Sequence, residues 1–359
     1  MLRGRIDCLS MNTTASSTAA GTGNLQLEYV SSHRVASQPA SWWQSVLGVV
    51  GFEKPPAIAR TRVPVTASMT RPLRANDLCE VWRVSGPHSP LSSGETAHTR
   101  VQYRYSEDLL FGSLTIAEQA IDAGSEAGAL LRATEIAYQE IFDVLNQTGH
   151  RQLIRIWNYL PDINAQAGDD ERYRHFNSAR QMAFRKSGRA TMGSVPAASA
   201  LGSPAGSPIS IYFLAARRPP KMIENPRQTS AYHYPPKFGK HSPIFSRACV
   251  WGESGGSNLF ISGTASIVGH ETIHRGDVVA QTRETMTNIG ALLDEANRVV
   301  GAARYSLEGL RLKVYVRKPS DLAAIEATLS QLLISAADIV YLQADVCRED
   351  LLVEIEAIG

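Results

Sequence analysis

The chain has 359 residues, of which 43% are apolar and 19% are charged, as in an ordinary globular protein. At about 150 residues per domain, this length predicts roughly two domains and excludes a single small disulfide-stapled module. The 36 basic and 34 acidic side chains leave a net charge of only +2, which excludes a disordered chain and a strongly basic nucleic-acid binder.

The cysteines and the N-terminal segment indicate the cell compartment. The four cysteines lie far apart and form no Cys-x-x-Cys pair, so we expect reduced thiols in the cytoplasm rather than a disulfide framework or a zinc ribbon. Residues 1–24 are rich in Ser, Thr, Ala and Gly and lack an apolar core of signal-peptide length. We therefore predict a disordered lead, with Met11 as a candidate start. The most apolar short stretch, residues 46–52, is too short for the ~18 residues of a membrane-spanning helix, so a soluble protein is expected.

Two long stretches show the same order of predicted elements, as a tandem repeat would. In the first, alternation and 3.6-residue spacing predict strands at 101–105, 109–116, 152–159 and 209–215, with helices at 126–145, ended by Gly149, and at 169–186. In the second, they predict strands at 248–253, 258–267, 310–317, 339–346 and 351–358, with helices at 277–300, capped by Asp277, and at 320–333, capped by Ser320. We therefore predict an α+β fold of two tandem units, each a mixed β-sheet packed against two helices.

Irregular segments rich in Gly, Pro and Ser separate the two predicted units. The N-terminal domain, with inserted loops, is predicted to span residues 25–216, and the C-terminal domain residues 217–359. Residues 193–208 are predicted to be a linker. Residues 225–236 instead concentrate a guanidinium, two phenols, an imidazole and an amide between prolines, which is a composition suited to the wall of a polar pocket.

The segment from His270 to His274 matches the His-Glu-x-x-His pattern of zinc peptidases. That pattern works only on a helix, where both imidazoles share one face and converge on the metal. Here it lies before the helix cap Asp277 and after a predicted strand, so the imidazoles need not converge. No third histidine follows, and we predict no metal site.

A pair of carboxylates lies near the C-terminus. Alternation over residues 351–358 places Glu354 and Glu356 on one face of a strand with apolar neighbours. Burial would raise the pKa of such a carboxyl group, which could then donate a proton near neutral pH. The same pattern also fits an edge strand whose carboxylates face water.

Several arginines of the second unit are candidate anion ligands. Arginine forks bind carboxylates bidentately, so a small dianion suits two that converge, although each alone is also typical of a solvated surface. The candidates are Arg227, Arg283, Arg311 and Arg317. Small residues at 262–266 leave room for a ligand, or form a tight bend in a core strand.

Several motifs together resemble known families. Residues 350–358, Asp-Leu-Leu-Val-Glu-Ile-Glu-Ala-Ile, resemble the closing strand of the RidA/YjgF superfamily, which carries a functional glutamate at the position of Glu354. Four further segments resemble the chorismatase family in the same order along the chain, namely 172–176, 225–236, 263–271 and 281–284. The likeness covers roughly residues 25–359, and it implies two tandem RidA/YjgF-like units, of which the second is catalytic.

The resemblance implies an enzyme without metal or cofactor that binds chorismate, a dianion with an enolpyruvyl ether, and releases pyruvate. The glutamate that matches Glu354 protonates the enolpyruvyl methylene in such enzymes. Aromatising members give 3-hydroxybenzoate, and some also give 4-hydroxybenzoate. These members carry a cysteine seven residues before the glutamate, where Cys347 stands here. Hydrolysing members give 3,4-dihydroxycyclohexa-1,5-dienoate instead.

The sequence departs from the wider superfamily at one position. The carboxylate-binding arginine, fifteen residues before the glutamate, is replaced by Ile339. We therefore expect substrate binding by other residues: Arg227, Tyr232, Tyr234, Gly263, Thr264, Arg283 and Arg317. RidA-like units often form trimers, so the sequence leaves open whether this protein forms a homo-oligomer. A non-catalytic RidA-like ligand-binding protein and a zinc peptidase are the alternatives from other classes.

Overall fold

The computed structural model describes residues 25–58, 63–74, 77–252, 256–333 and 338–359, and the predicted disordered lead at 1–24 lies outside the described residues. The strands in chain order are β1 (Gln26–Ser31), β2 (Val46–Gly51), β3 (Val65–Ala67), β4 (Arg71–Pro72), β5 (Leu78–Arg83), β6 (Ser92–Glu95), β7 (Thr99–Tyr105), β8 (Leu109–Ile116), β9 (Gln152–Pro161), β10 (Gln166–Ala167), β11 (Asp170–Glu171), β12 (Ala197–Ser203), β13 (Ile209–Ala216), β14 (Lys221–Ile223), β15 (Ala248–Trp251), β16 (Asn258–Thr264), β17 (Ile267–Val268), β18 (Glu271–Thr272), β19 (Arg311–Val316), β20 (Ile339–Gln343) and β21 (Val353–Ile358). The α-helices are α1 (Ser32–Ala36), α2 (Ala40–Gln44), α3 (Glu126–Thr148), α4 (Arg172–Lys186), α5 (Val278–Val300) and α6 (Leu322–Leu332).

Two large sheets repeat one topology, which confirms the predicted α+β fold. Their strand orders are β12-β9-β13-β8-β7-β6 and β14-β15-β16-β21-β19-β20-β4. In each, a hairpin is followed by a long helix, a strand, a second helix and a parallel neighbour of that strand. The closing strand, β13 or β21, then inserts antiparallel into the middle of its sheet.

The helices pack in pairs on the outer face of each sheet, α3 with α4 and α5 with α6. The apolar stripe of α5 is buried from Met286 onward, where Ile289, Leu292 and Ala296 pack with Val314 and Ile355 of the second sheet, whereas Val279, which the 3.6-residue spacing also assigns to this stripe, is exposed. Asp277 caps α5 as predicted, because its carboxylate accepts a hydrogen bond from the N–H of Ala280 at 2.9 Å.

The opposite faces of the two sheets pack toward each other and toward a third sheet, of order β1-β5-β2-β3. Aromatic side chains from all three sheets share this core, among them Trp82, Trp157, Tyr212, Phe260 and Tyr315. Since both faces of β13 and β21 are covered, every residue of these two strands is buried.

The predicted linker at 193–208 contains β12, so that prediction is wrong. The strand consists mainly of Ala, Ser and Gly because it passes close to the segment that follows β20. A Cβ atom on Gly202 would lie only 2.6 Å from the Cβ atom of Asp345. Small residues at such a crowded strand give the same composition as a flexible linker.

The starts of two helices differ from prediction. Helix α4 begins at Arg172 rather than at residue 169, because β11 pairs with β10 in a short hairpin. Ser320 does not cap α6, since it lies inside a 3-10 turn at Pro319–Asp321 and the helix begins at Leu322. Strand β4 from the N-terminal region pairs with β20, and the division at 216/217 stays a prediction. No helix within the described ranges is long and apolar enough to cross a membrane.

Candidate active site

The candidate site is built on β21, the central strand of the second sheet. Glu354 and Glu356 point to the same face, opposite Tyr315 and Lys313 of β19. Only 4% of Glu354 and 3% of Glu356 is exposed. The alternative in which these carboxylates face water from an edge strand is therefore wrong, because β16 and β19 flank β21 on both sides.

Gly263 of the neighbouring strand β16 makes room for the Glu354 carboxyl group. A Cβ atom at this position would lie 2.7 Å from Cδ of Glu354 and 3.1 Å from Oγ of Ser199. The N–H of Gly263 donates a hydrogen bond to that hydroxyl at 3.0 Å. Glycine is needed here for close approach rather than for backbone freedom.

The surroundings of Glu354 favour the protonated form of its carboxyl group at neutral pH. Burial, and after it the negative charge of Glu356, raises the pKa of Glu354 from its ordinary value of 4.5 to about 8. Within the described part of the chain, no hydrogen-bond or ion-pair partner contacts its carboxyl group. A neutral carboxyl group without protein partners is free to deliver its proton to a bound molecule.

A cavity opens beside Glu354 and runs between β21, β16, α4 and the segment 234–247. Aromatic rings and arginines line it together with the acid, and a second, smaller cavity shares the wall formed by Gly263, Cys347 and Glu354. The lining side chains of the first cavity that carry charge or a ring are Glu171, Tyr173, Arg174, Tyr234, Phe238, Phe245, Arg247, Arg348 and Glu354.

Arg247 and Arg348 are held in this cavity by aromatic rings. The guanidinium of Arg247 lies 5.1 Å from the ring centre of Phe245, and that of Arg348 lies 4.1 Å from the ring centre of Phe238. Arg247 Nη2 donates a hydrogen bond to the hydroxyl of Tyr234 at 2.7 Å. Two other guanidinium nitrogens, Nε of Arg247 and Nη2 of Arg348, have no acceptor among the described residues.

Arg180 of α4 adds a third guanidinium, at the second cavity, with 3% of the residue exposed. Its Nη1 donates to the carbonyl of Ile244, but its Nε and Nη2 find no acceptor in the described ranges, and neither does Nδ2 of the neighbouring Asn177. Buried donors without partners are costly, so three such arginines around adjoining cavities indicate sites for anionic groups.

Four predicted site residues meet at this cavity: Tyr234, Gly263, Cys347 and Glu354. Burial, followed by the charge of Glu354, raises the pKa of the Cys347 thiol to about 12, so the thiol is neutral at physiological pH. Tyr232 and Thr264 do not line either cavity. The ring of Tyr232 packs on His233, and the hydroxyl of Thr264 donates to the carbonyl of Ser262 at 2.9 Å.

The three predicted carboxylate-binding arginines do not line the cavity, because each is already engaged. Arg227 pairs with Glu284 at 2.6 Å, and Arg283 donates to Oε1 of Gln331 at 2.6 Å on the outer helices. Arg317 donates to the carbonyls of Val346, Arg348 and Leu351 at 2.7 to 2.8 Å. It therefore fixes the segment that carries Cys347 and contacts no cavity itself.

Sequence reasoning missed Arg180, Arg247 and Arg348. The sequence carried a usable signal for Arg180, because it lies between Phe176 and Phe184 on the apolar stripe of one helix. A charged group on a buried stripe needs a partner. Arg247 and Arg348 gave no such signal, because the path of a long side chain is not encoded in local periodicity.

The His-Glu-x-x-His segment forms a hairpin of β17 and β18 rather than a helix. Nε2 of His270 lies 3.1 Å from Glu271, while Nε2 of His274 lies 3.5 Å from Glu284 on α5. The imidazoles thus turn to different partners, and no group of three metal-ligating side chains occurs in the part of the chain that the structure describes.

The tandem fold, together with a buried carboxyl group beside an arginine-lined cavity, is an arrangement typical of an enzyme. Comparison with known proteins agrees. Residues 80–215 match the family model described as "Chorismatase FkbO/Hyg5-like, N-terminal". The chain is 40% identical over 240 residues to a 3-hydroxybenzoate synthase of Streptomyces hygroscopicus, covering 64% of this chain and 70% of that protein.

It is also 36% identical over 311 residues to a chorismatase of Streptomyces rapamycinicus, covering 82% of this chain and 86% of that protein. A crystal structure of a chorismatase superposes with a TM-score of 0.80 at 30% identity, covering 95% of this chain and 99% of that one. The chain therefore belongs to the chorismatase family, and the resemblance seen in its motifs is confirmed.

Proposed function

We propose that this enzyme converts chorismate to 3-hydroxybenzoate and pyruvate by acid-catalysed cleavage of the enolpyruvyl ether, and product analysis decides whether 4-hydroxybenzoate is formed as well. The relatives named chorismatase and 3-hydroxybenzoate synthase support this proposal. The observation that carries it is Glu354, a protonated carboxyl group in a cavity with unpartnered arginine donors.

In the first step Glu354 gives its proton to the methylene carbon of the enol ether. The π electrons of the carbon–carbon double bond form the new C–H bond, and the positive charge is shared between the adjacent carbon and the ether oxygen. The bond from that oxygen to the ring then breaks, with both electrons leaving on pyruvate. Glu354 remains as a carboxylate, and its charge stabilises the cation formed in front of it.

In the second step the ring hydroxyl attacks the carbon that has lost pyruvate and releases its proton to the Glu354 carboxylate, which gives an arene oxide. Glu354 returns this proton to the epoxide oxygen as the bond from that oxygen to the neighbouring carbon breaks, and this leads to 3-hydroxybenzoate. A ring proton is lost and restores the proton of Glu354, so no water is consumed. Water attack on the same carbon would give the dihydroxycyclohexadienoate instead. We assign Cys347 to this choice, since its neutral thiol is a weak hydrogen-bonding group beside Glu354 and disfavours an ordered water there.

The two carboxylates of chorismate bind to guanidinium groups that keep some N–H donors without an acceptor among the described residues. Arg247 and Arg348 line the cavity that holds Glu354, and Arg180 lines the adjoining one. These three arginines replace Arg227, Arg283 and Arg317 in the proposal. Among the described residues Cys79, Cys249 and Cys347 form no disulfide, which suits an enzyme of the reducing cytoplasm.

The proposal is tested by measuring pyruvate release from chorismate with wild type, Glu354→Gln and the control Glu349→Gln. Glu349 lies on the same segment but is exposed, so it separates acid catalysis from a general effect of losing a carboxylate. We expect full activity in the control and none above background in Glu354→Gln. Full turnover in Glu354→Gln, or no pyruvate from wild type, would refute the proposal.

Chromatography of the products then separates the two family reactions. We expect 3-hydroxybenzoate from wild type and a larger share of the dihydroxycyclohexadienoate from Cys347→Ala. An unchanged product ratio would remove the role given to the thiol. Exclusive formation of the diol by wild type would make the protein a chorismate hydrolase.

A further inference from the structure

Glu356 contacts neither cavity, yet the structure surrounds it with donors. Its carboxylate accepts hydrogen bonds from Nη2 of Arg155 at 2.8 Å, from Nε1 of Trp157 at 2.7 Å and from Oγ of Ser199 at 2.7 Å. It also forms an ion pair with Nζ of Lys313 at 2.7 Å. A carboxylate with four donors is held ionised and in one orientation.

Glu356 stays charged although it is buried. Burial opposes its ionisation, but the charges of Lys313 and Arg155 more than offset that effect, and the pKa of Glu356 lies below its ordinary value. The opposite holds for Glu354, two residues earlier on the same face of β21. One carboxylate therefore keeps a fixed negative charge beside an acid that must remain neutral.

The cation of this pair is shared with a distant part of the chain. Nζ of Lys313 also contacts Glu80 of β5, which belongs to the four-stranded N-terminal sheet and is fully buried, and lies 3.0 Å from the hydroxyl of Tyr212. One ammonium group thus bridges a carboxyl group from each of two sheets, and at Glu80 its charge opposes the effect of burial, which raises the pKa of that group. The hydroxyl of Ser199 links Glu356 onward to the backbone of Gly263 beside Glu354.

We infer that the linked side chains of Glu80, Lys313 and Glu356 position Glu354 and set its charge state. Through them the N-terminal sheet controls delivery of the catalytic proton. This inference rests on the proposed function. It assigns a role to groups that touch neither substrate nor cavity, and it gives the N-terminal sheet a part in the reaction.

Other charged and titratable groups face Glu354 from every side, and they are the same in wild type and in the variants of the test below. They come from β9, α4 and its entry, the segment before β15, the residue after β19, and the segment between β20 and β21: Arg155, Glu171, Tyr173, Arg174, Tyr234, Arg247, Arg317, Cys347 and Arg348.

The test is the pH dependence of kcat/KM for pyruvate release. Because Glu354 must be protonated to act, activity falls as the pH rises through its pKa of about 8. Glu356→Gln removes a negative charge two residues away on the same strand face, about 6.6 Å along the strand, and we expect the alkaline limb to move to lower pH by about 1 to 2 units. Glu80→Gln is expected to move it in the same direction by less, since its charge acts through Lys313.

The matched control is Glu118→Gln, which also removes a buried carboxylate paired with a guanidinium, that of Arg172, but lies outside this chain of charges. It tests for an effect of destabilisation alone, and its alkaline limb is expected to stay at the wild-type pH. An unmoved limb in Glu80→Gln would overturn the inference, because the N-terminal sheet would then not influence Glu354, and an unmoved limb in Glu356→Gln would overturn it as well. If Glu356→Gln does not fold, Glu80→Gln decides, because Glu80 lies far from the cavity lining.

A measurement without substrate separates this inference from the proposed function. The infrared band of the protonated Glu354 carboxyl, identified by its loss in Glu354→Gln, is titrated in wild type and in Glu80→Gln. A lower midpoint in the variant supports the inference whether or not chorismate is turned over. An identical midpoint contradicts it even if chorismate is cleaved.

Discussion

Replacing Glu354 by glutamine should stabilise the folded protein while it abolishes turnover. In the folded chain the pKa of Glu354 is about 8, raised from 4.5 first by burial and then by Glu356. Between these two pH values the folded protein keeps a proton that the unfolded chain releases. Its stability is therefore complete below pH 4.5 and is lost as the pH rises toward 8, by about 1.4 kcal/mol per pH unit.

From pH 4.5 to pH 7 this loss amounts to about 3 kcal/mol, and a glutamine at the same position does not incur it. We therefore expect the free energy of unfolding of Glu354→Gln to rise relative to wild type by up to about 3 kcal/mol over that range. Urea unfolding of both proteins at pH 4.5, 6 and 7 measures the difference. Other titrating groups contribute equally to both proteins and cancel.

The exposed Glu349→Gln serves as the reference for the loss of a carboxyl group at the surface, and the effect of Glu354→Gln is compared with it at each pH. A constant difference for Glu354→Gln would show that the acid is solvated in the folded state. That result would refute the reasoning, because an ordinary carboxyl group is ionised at pH 7 and cannot act as the acid.

Three further substitutions test the geometry of the site. Gly263→Val should lower kcat for pyruvate release at least about 100-fold, since its side chain would occupy the space of the Glu354 carboxyl group; wild-type kcat would contradict this placement. Arg247→Met should raise KM for chorismate about 30-fold or more, because it removes a buried partner of a substrate carboxylate. Arg283→Met, on the outer helices, should leave KM unchanged. Equal effects of the two substitutions would refute the assignment of Arg247 to carboxylate binding. Arg317→Gln should lower kcat about tenfold and lower the melting temperature, because three carbonyls of the 346–351 segment lose their hydrogen-bond donor. An unchanged kcat would show that this segment keeps its conformation without Arg317.

Periodicity located the acid but could not describe its surroundings. Alternation along β21 placed Glu354 and Glu356 on one face, and the structure agrees. Whether that face meets water depends on a second sheet contributed by residues far away in the chain. The same holds for Lys313 and Tyr315 of β19, which a strand pattern assigns to a polar face and which three packed sheets bury completely.

The missed features have physical causes of the same kind. The strands of the N-terminal sheet pair in the order β1-β5-β2-β3, so no hairpin signal marks them. Strand β12 has a linker's composition because Gly202 lies against Asp345. For arginine, the guanidinium lies several bonds from the backbone, and only the tertiary structure shows that Arg317 binds carbonyls while Arg247 reaches the cavity.

The most direct measurement follows the proton itself. Chorismate labelled stereospecifically with tritium on its methylene carbon is turned over in D₂O, and the pyruvate is reduced at once to lactate. Delivery of a deuteron by Glu354 from one fixed side predicts a chiral methyl group of a single configuration. An equal mixture of both configurations would mean that the carbon is protonated after release, and it would contradict the role of Glu354.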